Sequence, residues 1–415
     1  MNRSLPFFAA AALAACSSSP SGGENYTGTT ANCGPYGGKL IAVNQGDDTM
    51  SIIDPATGNL LCPVLVPIME EQNMEMPHEI STDPSGRFFI VNLMEMPANS
   101  TARSAEDEIS MMNSPLRGYV LKLSPADGTL QASAQVDPDP GDNTLSPDGS
   151  MVYVSCFDEP TVAQVEAAGD TNPRHMDGNL WAIDSAEMAV VTKLPICPEP
   201  HVLEVSPDGQ WLFSSCYNDE VAMIDISDPR GPKLAARISE DEGGPDGGQV
   251  EVLPSNASLW PMALQTSFLD TNGHFTVWVS NWNPQAYSLG IVDPLARAFV
   301  NRIPMTSKPM FTTFSTDGKT AYTAHQQPDG IAIFDVAAQA QTGDIPLPAA
   351  TTTCVNAHQI ILSSDGRTGW VLCEGDHQGS GQFLILDLPT QKVLSHTQVG
   401  MFPMEMDLMP TPSGG

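Results

Sequence analysis

Two segments of this chain carry cysteine and histidine at the same spacing. In the first segment, Cys197 is followed by His201 and then by Cys216. The second segment repeats this arrangement with Cys354, His358 and Cys373. Imidazole and thiolate are ligands that zinc and copper(I) prefer, so the pattern predicts a soft-metal site. Equal spacing is also what two equivalent disulfides would show, and both interpretations hold if histidine binds the metal while cysteine forms the disulfides.

An Asp-Gly pair lies between the histidine and the second cysteine of each segment. Alternating apolar residues flank this pair, which indicates a β-hairpin with a tight turn. Most turns of this kind are followed by an apolar strand, by a third strand that usually ends in Asp, and by a fourth strand. Units of four strands that repeat every ~40 to 60 residues are typical of propeller blades, so we predict an all-β fold. The turns are Ser85-Gly86, Asp148-Gly149, Asp208-Gly209, Asn272-Gly273, Asp317-Gly318, Asp365-Gly366 and Ser413-Gly414.

The repeat has a recognisable consensus. Residues 200–209 read Pro-His-Val-Leu-Glu-Val-Ser-Pro-Asp-Gly, and they are followed by an aromatic-containing strand and by a strand that ends in Ile-Asp. This pattern resembles the YVTN-type repeat of seven-bladed bacterial propellers, and the resemblance covers about residues 37–415. It implies seven blades but not an activity, because propellers host many unrelated functions.

The two ends of the repeat region indicate how the ring closes. Residues 37–44 start at the second strand of a blade, whereas residues 403–409 form a first strand with no strand after them. Joining the two ends completes one blade and leaves no open sheet edge. We therefore predict a seven-bladed β-propeller over residues 37–415, with four-stranded antiparallel blades and a last blade closed by the N- and C-terminal strands.

The first strand of each blade lines the central channel of a propeller, so equivalent positions form a ring of side chains. Strand pairing across each turn predicts that the residue seven positions after the turn glycine faces the same ring, which adds His325 and places each hairpin cysteine beside its histidine. Imidazole and thioether together suit copper, with zinc as the alternative. In six of the seven blades, the position eight residues before the turn glycine is occupied by His78, Gly141, His201, Met310, His358 and Met406. The fourth blade fits this count poorly, and Met262 is its nearest candidate. The predicted metal ligands are His78, His201, His325, His358, Met310 and Met406.

The N-terminal residues resemble a bacterial lipoprotein signal. Arg3 precedes an apolar stretch, and the segment Leu13-Ala-Ala-Cys16 resembles a lipobox. The resemblance implies removal of residues 1–15, lipidation of Cys16 and a flexible tether over residues 16–36. We therefore expect a protein of the bacterial cell envelope, held by its lipid at the outer membrane and facing the periplasm or the exterior. An ordinary secretory peptide is the alternative.

Seven cysteines remain after Cys16, in a compartment where disulfides persist. An odd number leaves at least one thiol without an intramolecular partner, and Cys156 is the residue left over. The candidate pairs are Cys197 with Cys216, Cys354 with Cys373, and Cys33 with Cys62.

The formal net charge of −32 excludes nucleic acid as a partner, because the chain would repel a phosphate backbone. We expect a monomer that engages a small ligand or another envelope protein. An insertion at residues 239–258 contains an acidic, glycine-rich loop whose carboxylates could hold calcium. It lacks the alternating Asp/Asn spacing of known calcium loops, so a solvated loop is the alternative.

The sequence contains no nucleophile elbow, zincin motif, phosphate loop or haem-attachment motif. The function that its residues favour is binding of a ligand or partner at the channel mouth through a soft metal. An enzyme is the second hypothesis, since the architecture is similar to that of copper-dependent thiol oxidases and of lactonases. Few Arg residues occur in the first strands, which favours the oxidase over the lactonase. A structural module that engages another envelope protein is the third hypothesis.

Overall fold

The structure, a computed structural model, describes residues 33–69, 73–94, 96–97, 117–239, 259–347 and 354–411. The predicted signal peptide, Cys16, most of the tether and nearly all of the acidic insertion lie outside the described residues. Within the described residues, no helix has the length and apolar character needed to cross a membrane.

The described residues form thirty strands, one α-helix and one short 3-10 helix. The first fifteen strands are β1 (Leu40–Asn44), β2 (Thr49–Ile53), β3 (Leu60–Leu65), β4 (Asn73–Met74), β5 (Pro77–Thr82), β6 (Phe89–Met94), β7 (Met96–Pro97), β8 (Gly118–Leu123), β9 (Leu130–Val136), β10 (Pro140–Leu145), β11 (Met151–Cys156), β12 (Asp177–Asp184), β13 (Ala189–Pro198), β14 (Pro200–Val205) and β15 (Trp211–Cys216). The others are β16 (Glu220–Asp225), β17 (Lys233–Ser239), β18 (Pro261–Thr266), β19 (Val277–Asn281), β20 (Ser288–Asp293), β21 (Ala298–Pro304), β22 (Lys308–Phe314), β23 (Thr320–Gln326), β24 (Gly330–Asp335), β25 (Ala340–Pro346), β26 (Ala357–Leu362), β27 (Thr368–Cys373), β28 (Ser380–Asp387), β29 (Lys392–Met401) and β30 (Pro403–Leu408). Helix α1 (Glu159–Ala167) and the 3-10 helix (Pro173–Met176) lie between β11 and β12.

These strands build seven four-stranded antiparallel sheets, which are the blades of a propeller. Blade 1 contains β5, β6, β8 and β9, and blades 2 to 6 take the next strands in groups of four, from β10–β13 to β26–β29. The first strand of each blade contacts the first strand of the next blade, in a closed circle from β5 through β10, β14, β18, β22, β26 and β30 back to β5. These seven are called the inner strands below. The predicted all-β, seven-bladed fold is confirmed.

Blade 7 joins the two ends of the chain. Strand β30 pairs with β1, and β1 pairs with β2 and β2 with β3. The β1–β30 register places Leu40 opposite Leu408 and Asn44 opposite Pro403. The last blade is therefore closed by the N- and C-terminal strands, as predicted, and no sheet edge is left open at the junction.

In four of the blades, the turn that follows the inner strand is fixed by its own side chains. In blade 3 the Ser206 hydroxyl donates to Asp208 Oδ1 and accepts the N–H of Trp211, while Asp208 also accepts the N–H of Gln210. Gly209 has a backbone φ of 70°, a value that residues with a Cβ rarely adopt. The same serine–aspartate hydrogen bond recurs in blades 2, 5 and 6. The repeated turn sequence therefore sets the register of each hairpin locally.

Three disulfides strengthen this ring. Two of them join a blade to the segment before it, and the third joins the start of the described chain to the outer strand of blade 7. Tyr36, which the predicted tether included, is buried in the same apolar cluster as this third bond. The disulfides indicate a compartment outside the cytoplasm, and Cys156 is buried and unbonded. The bonds are Cys197–Cys216, Cys354–Cys373 and Cys33–Cys62.

Candidate metal centre

Every inner strand begins with a β-bulge, and the bulge positions the candidate ligands. In blade 3, Pro200 pairs with Cys216 and Leu203 pairs with Ser214, so two residues of the inner strand face one residue of its neighbour. The first of these two residues, His201, is displaced from the face that carries Cys216. We call the first residue of this bulge in each inner strand the ring position.

The bulge corrects the predicted pairing of histidine with cysteine. A hairpin without a bulge would place the two side chains on one face, whereas the extra residue puts them on different faces. The cysteine of each pair instead forms a disulfide inside an apolar cluster of the propeller wall. Six of the seven described cysteines are therefore in disulfides, and the seventh, Cys156, is buried in an apolar cluster.

Three histidines at the ring position come together at the end of the channel where the inner strands begin. They are His78 of blade 1, His201 of blade 3 and His358 of blade 6, and they are 6%, 2% and 2% exposed. The rings of His78 and His201 have centroids 5.9 Å apart. His358 lies close enough to His78 and His201 for a positive charge on it to lower the pKa of both.

Two of these histidines are oriented through one ring nitrogen. His201 Nδ1 lies 2.9 Å from the carbonyl oxygen of Met262, and His358 Nδ1 lies 2.7 Å from Glu374 Oε1. Since both partners are acceptors, each Nδ1 carries the hydrogen and each Nε2 keeps its lone pair. Metal-ligating histidines are typically held in this way by a carbonyl or carboxylate behind them. His358 Nε2 is buried and has no hydrogen-bond partner.

Glu79 adds a carboxylate to this group. Ligand atoms of His78, Glu79 and His201 all lie within 4.8 Å of one another, and His78 Nε2 is 3.8 Å from Glu79 Oε1. Glu79 is 1% exposed. Both ring nitrogens of His78 and both carboxylate oxygens of Glu79 are buried without a hydrogen-bond partner. Native structures rarely leave such groups unsatisfied, because their desolvation is costly.

Burial sets the charge of these groups. It lowers the pKa of His78 well below its usual value, with a further contribution from His201 and His358. It also lowers the pKa of His201 to about 4, against the opposing effect of the hydrogen bond to Met262. Both rings are therefore neutral at pH 7, which is the form that binds a metal. Burial raises the pKa of Glu79 well above its usual value, and the neighbouring carboxylates of Glu405 and Asp142 raise it further.

An apolar wall surrounds the histidines. Phe157 stacks on His201 with centroids 4.9 Å apart, and Tyr217 lies 5.8 Å from the same ring. Phe157 also packs in one cluster with Met76 and Met94. Gly141, at the ring position of blade 2, leaves room for this stack, since a Cβ there would lie 3.1 Å from Phe157 and 3.2 Å from His201. Met76 and Met94 thus have a packing role beside the site.

Three of the predicted ligands lie elsewhere. Both nitrogens of His325 already have hydrogen-bond partners, the Pro328 carbonyl at 2.8 Å and Asp344 Oδ2 at 2.9 Å, so this ring is held away from the other histidines. Met310 is 1% exposed and packs in an apolar cluster between blades 5 and 6. Met406 packs between blades 6 and 7. Because Pro403 pairs with Asn44, the ring position of blade 7 is Met404, two residues before the predicted one.

The channel below the histidines is acidic. It opens into a cavity of about 230 Å³. Glu79, Asp142 and Glu405 each follow a ring position, and ligand atoms of all three lie within 4.8 Å of one another. Glu204 and Asp407 lie further along the cavity, and the described residues that line it include no Lys or Arg. Such a channel attracts cations.

Glu79, Asp142 and Glu405 were not predicted from the sequence. Each stands one residue after a ring position in its strand. This recurrence at one place in the repeat was a visible signal. A comparison of the residues that directly follow the ring position in each blade would have revealed these three carboxylates.

Fold and site together define the class: a seven-bladed β-propeller with a buried histidine–carboxylate group at one end of its channel. No protein-family model matches the chain, and no curated protein matches its sequence. The resemblance to YVTN-type repeats therefore rests on the repeat motif.

Solved structures with the same fold include proteins of different kinds. A functionally unknown protein from Desulfotomaculum acetoxidans aligns with a TM-score of 0.62 and 10% identity over 90% of this chain and 99% of its own. The periplasmic gluconolactonase of Pseudomonas aeruginosa aligns with a TM-score of 0.59 and 17% identity over 90% and 99%. Kuenenia stuttgartiensis hydrazine synthase aligns with a TM-score of 0.56 and 13% identity over 81% and 90%. At these identities the similarity establishes the fold alone.

Proposed function

We propose that this protein binds one divalent transition-metal ion at the mouth of its channel. His78, His201 and Glu79 are the direct ligands in this proposal, and His358 is the fourth. The observation that carries it is the buried pair His78 and Glu79, whose ligand atoms have no hydrogen-bond partner and lie beside His201. A cation would satisfy these atoms at once.

The donor set indicates which metals fit. Imidazole nitrogen and carboxylate oxygen suit zinc and copper(II), and copper(II) binds most tightly in the usual order of divalent ions. Copper(I) favours thiolate and thioether ligands. The described cysteines of the ring hairpins are in disulfides, and Met310 is packed between blades. We therefore propose copper(II) or zinc.

A metal held by the four proposed ligands could still take a fifth donor, because zinc sites can expand to five-coordinate. A small molecule with an oxygen, nitrogen or sulfur donor could bind there. The lactonase hypothesis called for arginine at the channel, and the described residues that line the cavity include none. Metal-dependent ligand binding is the function that we propose, and metal-dependent oxidation of the ligand would be an elaboration of it.

We also propose that the protein works on the cell envelope, held by a lipid on Cys16. The three disulfides support a location outside the cytoplasm. Labelling with a radioactive fatty acid in a bacterial host should mark the wild-type chain and leave Cys16→Ser unlabelled. Equal labelling of both chains would remove the anchor from the proposal.

Metal analysis of the purified full chain tests the metal site. In 0.15 M salt, which weakens binding to surface carboxylates, the wild type should hold one copper or zinc ion per chain. The double variant His78→Ala/His201→Ala should lose it. His175→Ala is the matched control, because this histidine is exposed and pairs with Asp170 on the surface. Unchanged stoichiometry in the double variant would contradict the proposal.

A further inference from the structure

Three carboxylates meet in the channel below the histidines because they occupy one position of the repeat. Glu405, Glu79 and Asp142 each directly follow the ring position, on the consecutive inner strands β30, β5 and β10. One oxygen of each lies within 4.8 Å of the others. Blade symmetry thus directs three acidic side chains at one point.

Two of the three carboxylates are held in place by backbone groups. Asp142 accepts the N–H of Leu203 at 2.6 Å, and Glu405 accepts the N–H of Ile80 at 2.8 Å. Neither oxygen of Glu79 receives a hydrogen bond when the carboxyl groups are ionised, and a proton shared with Glu405 is the partner that the described residues offer it. Glu79 is 1% exposed and directed into the group. An acidic side chain that is buried without a donor lacks the partner that would offset its desolvation.

The part of the chain that the structure describes places no Lys or Arg beside this group. The described residues that line the adjoining cavity include no Lys or Arg, and Glu204 and Asp407 add further carboxylates to its wall. The charge must therefore be balanced by protons or by a cation from solution. The cavity of about 230 Å³ gives such a cation room and a path.

We propose that Glu79, Asp142 and Glu405 form a second cation site, which takes a hard divalent ion such as Ca²⁺ or Mn²⁺. Its donors are all oxygen, which suits these ions and distinguishes the site from the histidine site above it. Glu79 is the ligand that the two sites share. Asp142 and Glu405 belong to the second site alone, so this site does not depend on the histidines.

Calcium binding to the metal-free full chain tests the proposal. The binding is measured by titration calorimetry in 0.15 M salt and by equilibrium dialysis. Glu405→Gln and Asp142→Asn should each weaken the channel site by about tenfold or more, because each removes one ligand charge. Glu204→Gln is the matched control. Its carboxylate lines the same cavity but lies outside the group of three carboxylates, so calcium affinity should stay unchanged.

Variants that each remove a ligand of only one site distinguish the two sites. His201→Ala should keep the channel calcium site and lose the transition metal, whereas Glu405→Gln should do the reverse. Should Asp142→Asn fail to fold, Glu405→Gln and the wild type still decide the question. A wild type that takes up neither Ca²⁺ nor Mn²⁺ at millimolar concentration would show that protons neutralise the group, and the second site would be overturned. Equal calcium binding by wild type and Glu405→Gln would overturn it as well.

Discussion

Glu374 lies behind the metal centre and hydrogen-bonds His358. Replacing Glu374 should weaken metal binding although no proposed ligand is removed. Its Oε1 accepts hydrogen bonds from His358 Nδ1 and Gln326 Nε2, both at 2.7 Å, and its Oε2 lies 2.5 Å from His377 Nε2. Burial alone would raise the pKa of Glu374, but the hydrogen bonds and charges of the two histidines lower it well below its usual value. The group is therefore an anion that orients His358.

The size of the effect follows from the loss of this charge. A hydrogen bond to a charged group contributes about 1.5–3 kcal/mol, against about 0.5–1.5 kcal/mol for a neutral one. Glu374→Gln keeps an acceptor for His358 and loses the charge, so it should cost about 1–1.5 kcal/mol, or roughly tenfold in metal affinity. Glu374→Ala also removes the acceptor and frees the ring, which should bring the loss toward about a hundredfold.

Competition with a chromophoric chelator measures these affinities for zinc or copper(II). His377→Ala is the control, since it removes the contact on the far oxygen and leaves the His358 hydrogen bond intact; its effect should be smaller than that of Glu374→Gln. Circular dichroism and thermal unfolding would confirm that each variant is folded. If Glu374→Gln binds metal as tightly as the wild type, His358 is not a ligand and the reasoning fails.

Three further predictions concern the wall of the propeller and its charge. Replacing both Cys197 and Cys216 with Ala should lower the free energy of unfolding by about 3 kcal/mol, because the bond closes a loop with a sequence separation of 19 residues; denaturant titration under oxidising conditions checks this, and an unchanged midpoint would contradict it. Burial raises the pKa of Glu204 from 4.5 to about 8, with a further contribution from Glu405 and against hydrogen bonds from its neighbours. The folded chain therefore keeps a proton that the unfolded chain releases, so stability should fall as pH rises from about 5 to 8, and Glu204→Gln should flatten that slope; equal slopes in both proteins would refute the assignment. Gly141→Ala should crowd Phe157 against His201 and weaken metal binding while the protein stays folded. A chelator titration measures the affinity, and wild-type affinity would mean that Phe157 and His201 accommodate the added methyl group without moving a ligand.

The fold was predictable because its information is local and repeated. Each serine–aspartate turn is closed by side chains within five residues of one another, and alternation in the flanking strands fixes which face is buried. Closure of the ring was also visible, since residues 37–44 lacked a first strand that residues 403–409 supplied. These features can be read from the sequence without knowledge of the contacts between blades.

The site was predictable only in part, because its details depend on contacts between blades. Counting from the turn glycines brought His78, His201 and His358 to one place. It could not show the bulge that separates His201 from Cys216, since a bulge shifts the register by one residue without changing composition. It also could not show that Asp344, on the outer strand of blade 5, binds His325. Met406 was misplaced because strand pairing, and not the distance to Gly414, sets the ring position of blade 7.

Anomalous X-ray diffraction at the zinc or copper edge, from crystals of the metal-loaded full chain, tests the central claim most directly. We predict one strong peak between His78, His201 and Glu79, at about 2.0–2.2 Å from the ligand nitrogen and oxygen atoms. A loaded crystal with no peak at that position, or with metal bound only at surface carboxylates, would contradict the account.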